Sequence, residues 1–82
     1  MQIRVKLFAL LREQAGVDTL ALDVTEGDTV AQALATLRQQ YPVLAPHLTN
    51  VRLALGMDFV EAEARLAAGD ELTLIPPVSG GN

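Results

Sequence analysis

The spacing of hydrophobic positions changes along the chain, and each change marks an element. From Gln2 to Ala9 they alternate. Ile3, Val5 and Leu7 face one way and Gln2, Arg4, Lys6 and Phe8 the other, the period-two signature of a half-buried strand. Leu10 to Gln14 reads as a short helical turn closed by Gly16, which has no Cβ to oppose the left-handed conformation that ends helices. Alternation returns from Thr19 to Val24, with Leu20, Leu22 and Val24 on one face. So short a gap between two strands predicts an antiparallel pair. After a turn at Thr25-Glu26-Gly27-Asp28 the period lengthens. Val30, Leu34, Leu37 and Tyr41, backed by Ala33, form one helical stripe. Thr29 stands at the capping position with Gln32 at capping-box spacing, and Tyr41-Pro42 ends the helix.

Val43 to Thr49 is a connector with room for a helical turn. Val51, Leu53 and Leu55 then alternate with Arg52 and Ala54 as a third strand. Leu55-Gly56-Met57-Asp58 predicts a tight hairpin, with Gly56 supplying the positive φ, and a short strand follows over Asp58 to Val60. Glu61 to Arg65 reads two ways: its Ala and Glu content favours helix, its place between strand and turn an irregular crossover. Ala68-Gly69-Asp70 is a turn. Glu71 to Ile75 is the last strand, with Leu72 and Leu74 inward and Glu71, Thr73 and Ile75 outward. Many strands and one amphipathic helix give an α+β class. The expected architecture is a β-grasp, or ubiquitin-like, arrangement: a mixed sheet of four to five strands over one main helix, with the first and last strands adjacent at its centre. One domain covers residues 1–75, and an extended C-terminal tail covers 76–82.

Composition narrows the chemistry. Of 82 residues half are hydrophobic and none is cysteine, which excludes a disulfide framework, a thiolate metal site and a cysteine nucleophile. A small domain without such staples fits the cytoplasm. The start of the chain runs straight into a strand pattern, so no signal peptide is predicted, and no run is long enough to span a bilayer. A net charge of −4 argues against nucleic acid as a partner. His47 is the single histidine and reads as a surface residue in a proline-flanked connector. Glu61 and Glu63, if helical, would not share a face. No Ser-His-Asp set, phosphate loop or metal-ligand spacing is present. The expectation is a chain with no active site of its own, no bound cofactor and no metal.

What remains is a tail and three outward apolar residues. Pro76-Pro77 favours an extended path, and Gly80-Gly81 has no side chains and can thread a channel too narrow for other residues. Residues 76–81 reach about 20 Å when extended. The same dipeptide is also compatible with a frayed terminus or a cloning scar. By strand parity Phe8 and Ile75 share the outer face at the root of the tail, with Phe59 expected to join them. Single exposed apolar residues are ordinary; three together beside such a tail predict a docking patch, rimmed by Arg4, Lys6 and Arg52.

Three segments carry a resemblance: Val5-Lys6-Leu7-Phe8-Ala9-Leu10-Leu11-Arg12-Glu13, Gly69-Asp70-Glu71-Leu72, and Ile75-Pro76-Pro77-Val78-Ser79-Gly80-Gly81. With these the chain resembles the small, ubiquitin-like subunit of molybdopterin synthase, the MoaD-type sulfur carriers, over nearly its whole length. The resemblance implies that the reactive group is the terminal glycine carboxylate. An E1-like enzyme adenylates it with ATP, and a sulfur donor converts it to a thiocarboxylate. The tail enters a pocket of the large synthase subunit, in a heterotetramer of two small and two large subunits. There sulfur passes to cyclic pyranopterin monophosphate to make the dithiolene of molybdopterin. Carried over, Gly81 bears the sulfur and Gly80 clears the channel. Phe8, Phe59, Ile75, Pro76, Pro77, Val78 and Ser79 contact the partner. Sulfur on a backbone carboxylate needs no cysteine, in keeping with this chain. Two positions depart from the family pattern. Gly56 stands where the family commonly has Asn. Asn82 follows Gly81 and holds its carboxyl in a peptide bond. Asn82 is therefore removed by a protease, was added in cloning, or marks a chain that no longer carries sulfur. Relatives serving thiamine or cysteine synthesis share the tail and fold, and a ubiquitin-like binding module would use the sheet face alone.

Overall fold

In the computed structural model, which describes residues 1–77, the elements follow in the order β1 (Gln2–Leu7), α1 (Ala9–Ala15), β2 (Thr19–Asp23) and α2 (Val30–Gln40). A 3₁₀ helix (Pro42–His47), β3 (Arg52–Leu55), β4 (Asp58–Val60) and β5 (Glu71–Ile75) follow. The five strands form one sheet in the order β2-β1-β5-β3-β4. β1 and β5 are parallel neighbours at its centre, in a register that pairs Val5 with Leu72 and Leu7 with Leu74. The other pairs are antiparallel. This is the β-grasp arrangement expected from the pattern.

The alternation decides which face is dry. Ile3, Val5, Leu7, Leu20, Leu22, Leu72 and Leu74 are buried on the inner face, in one cluster with Val30, Ala33, Leu34 and Leu37 of α2. Leu11, the one buried residue of α1, and Leu44 and Leu48 close the cluster. Tyr41 is only partly buried: it is the C-cap of α2, its N–H bonding back to Leu37 O, and the stripe ends before it. Pro42 then opens the 3₁₀ helix, the helical turn for which the connector had room.

Glu61 to Arg65 forms turns and no helix, and the reason is visible at α2. The first amides of a helix have no partner within it. Here Val30 N–H donates to Ala64 O and Ala31 N–H to Ala62 O, both at 2.9 Å, while Gln32 N–H reaches the Thr29 hydroxyl at 3.3 Å. The Gln32 side chain accepts from Thr29 N–H at 2.8 Å, which completes the capping box. A helical crossover would keep those carbonyls for itself. The hairpin is as expected, with Gly56 at φ 59°. Met57 is not left-handed, so this is a II′-type turn with glycine first rather than one favouring Asn-Gly.

Candidate functional site

The ends of β1 and β5 and the first tail residues, Pro76 and Pro77, lie at one end of the sheet. The strand expected to run to Ala9 stops at Leu7, because Phe8 is the N-cap residue of α1. Phe8 nonetheless stays extended, at φ −127° and ψ 158°, so strand parity carries through it and its ring lies on the outer face. Lys6 Nζ sits 5.5 Å from the ring centroid, and the residue is 39% exposed. Ile75, half-buried, ends β5 opposite Arg52 of β3. Pro76 and Pro77 leave from there with no regular structure. The residues singled out beyond them, Val78, Ser79, Gly80 and Gly81, lie outside the described residues.

Phe59 is on the same face but does not join Phe8 and Ile75. It pairs with Ala54 of β3, which pairs with Thr73 of β5, so two strand spacings, about 10 Å, separate it from β5. Arg52 fills the interval: its guanidinium carbon lies 4.5 Å from the Phe59 centroid, and its register partner is Ile75. Of the three cations expected as a rim, Lys6 and Arg52 therefore lie over the rings. Such contacts are worth about 0.5–1 kcal/mol at exposed sites. They leave Phe59 63% exposed while Ala54 beside it is only 8% exposed. Arg4 meets Glu71 at 3.9 Å across the β1–β5 register, an exposed pair of little energetic weight.

Behind the tail root lies a groove of about 370 Å³ that sequence reasoning missed. Its walls are Ala9 and Leu10 of α1, Pro46 and His47 of the 3₁₀ helix, Asn50, and Pro76 and Pro77 themselves. His47 is half-buried there rather than free on the surface. No local signal foretells this, because the walls come from three distant stretches of chain. Among the described residues no group of three His, Cys, Asp or Glu side chains could hold a metal ion. No helix among them is long and apolar enough to cross a membrane. The arrangement is an outer sheet face carrying two exposed, cation-covered aromatics.

Comparison with known proteins agrees with this architecture. The chain matches the ThiS family over residues 5–81. It is 38% identical over 81 residues to the molybdopterin synthase sulfur carrier subunit of Arabidopsis thaliana, covering 99% of this chain and 84% of that one. The crystal structure of small archaeal modifier protein 1 from Haloferax volcanii superposes with a TM-score of 0.90 at 35% identity, covering 99% of this chain and 100% of that one. The fold also matches, at 23% identity and a TM-score of 0.71, a chain in the complex of subunits 1 and 2 of molybdopterin-converting factor from Helicobacter pylori, with 99% of this chain and 100% of that one covered. This chain belongs to the ThiS family and has the β-grasp fold of the ubiquitin-like sulfur carriers.

Proposed function

We propose that the protein is the sulfur-carrier small subunit of molybdopterin synthase. The observation that carries this reading is the full-length similarity to molybdopterin synthase sulfur carrier subunits, with a family match that runs through Gly81. In this reading an E1-like enzyme adenylates the Gly81 carboxylate with ATP. Sulfide-level sulfur from a donor displaces AMP to leave a thiocarboxylate, and the tail delivers that sulfur to cyclic pyranopterin monophosphate in the large subunit. The domain itself holds no reacting group. It fixes the tail on the central strand and presents Phe8, Ile75 and Phe59 to the large subunit. Asn82 must first be removed, because an amide carboxyl cannot be adenylated.

The test is reconstitution. The chain ending at Gly81, charged by the activating enzyme, is combined with a molybdopterin synthase large subunit and cyclic pyranopterin monophosphate. Molybdopterin is the expected product. Product only when a thiazole synthase and its substrates replace the large subunit would move the chain to thiamine synthesis and overturn the reading.

The likeness to an archaeal modifier protein favours one further reading, in which the activated Gly81 carboxyl forms an amide with a lysine of another protein. ATP-dependent adducts heavier by the mass of this chain, found on other proteins in an extract, would support it.

A further inference from the structure

Ala9 is the one residue other than glycine with a positive φ among the described residues, at 51°. Alanine is poorly suited to the left-handed region, where Cβ crowds the following carbonyl; Gly, Asn and Asp occupy it more readily. Strain of this kind persists only where the surroundings hold it, and it clusters at sites of function. Here it falls between two partly exposed features. On one side is Phe8, whose ring is on the outer face under Lys6. On the other is the groove in which Ala9 and Leu10 face Pro76 and Pro77.

The bend does specific work. β1 ends at Leu7 and α1 begins at Ala9, so a single residue links strand to helix. Leu7 and Leu11 are both fully buried, and the left-handed step at Ala9 lets the chain reverse between them while Phe8 remains extended. The Phe8 carbonyl accepts from Leu11 N–H at 3.1 Å and Arg12 N–H at 3.4 Å, which ties the exposed residue to the helix that the bend aims. Glycine at position 9 would relieve the strain but would open many further φ/ψ combinations. Alanine has fewer backbone conformations open to it than glycine, so it confines the joint more than glycine would.

We propose that Ala9 is a positioning residue: its left-handed backbone holds Phe8 in the outward pose in which the partner meets it, at a cost to stability. This rests on the reading of the outer face as the side that docks the large subunit.

Three variants test it: Ala9→Gly, Phe8→Ala and the double change. In the free protein the proposal expects a nuclear Overhauser contact between the Phe8 ring and the Lys6 side chain that weakens in Ala9→Gly, while the thermal midpoint stays or rises. By calorimetry against a molybdopterin synthase large subunit, Ala9→Gly should lose about three- to tenfold in affinity, the scale of ordering one side chain on binding. The double variant should bind no more weakly than Phe8→Ala alone. An Ala9→Gly protein that keeps the Phe8–Lys6 contact and the original affinity overturns the proposal. Failure of the unaltered chain to bind the large subunit would instead count against the docking reading, and the Phe8–Lys6 contact would still decide whether Ala9 positions the ring.

Discussion

Each of the two phenylalanines on this protein is exposed, and each has a cation over its ring. For single residues sequence parity went far. It put Phe8, Ile75, Arg4 and Lys6 on one face, and the backbone obeys it even where β1 has ended, because Phe8 remains extended. Parity could not reveal which side chains cover which. That depends on cross-strand register, which sets Arg52 beside Phe59 and puts Ala54 in the shelter of the same pair of strands. Nor could it reveal the left-handed Ala9, since alternation carried the strand reading through that position and alanine gives no signal for a positive φ. The Arg52–Phe59 contact makes its own prediction. In a double-mutant cycle with Arg52→Ala and Phe59→Ala, urea unfolding should give a coupling energy of about 0.5–1 kcal/mol. Additive single effects would show that the pair contributes nothing.

The elements of the domain depend on one another in ways that local pattern only half reveals. The capping box at Thr29 and Gln32 was legible, as an acceptor and an amide side chain at the required spacing ahead of an apolar stripe. The crossover that completes the same helix end was not, because Ala-Glu alternation is good helix sequence and its irregular path is chosen by the amides of Val30 and Ala31, more than thirty residues away. The cap remains a separable contribution. Thr29→Ala should lower unfolding stability by about 1 kcal/mol in a denaturant titration, with the slope unchanged, because it removes one acceptor while the crossover still serves its neighbours. A loss of several kcal/mol would mean that crossover and cap form one cooperative unit.

Taken whole, the domain is, in the proposed role, a mount. β5 is central, its Leu72 and Leu74 are fully buried between β1 and β3, and the chain leaves its end directly into Pro76-Pro77. The β-grasp topology was readable because so few elements admit few arrangements once the first and last strands are adjacent. The groove behind the tail was not, since residues near positions 9, 47 and 76 meet only in the folded chain. The described residues hold no metal cluster, and the sequence offers no nucleophile and base at workable spacing. In the proposed role its chemistry belongs to the Gly81 carboxyl, and the fold supplies the central strand from whose end Pro76-Pro77 depart.

Sulfur carriage at Gly81 is tested most directly by the intact mass of the chain ending at Gly81 after incubation with the E1-like enzyme, ATP and a sulfur donor. A sulfur carrier should show the mass gain of one oxygen replaced by sulfur, located to Gly81 by fragmentation, and no gain in the chain that keeps Asn82. An unchanged mass in the chain ending at Gly81, under conditions that charge a known sulfur carrier, would rule out that role.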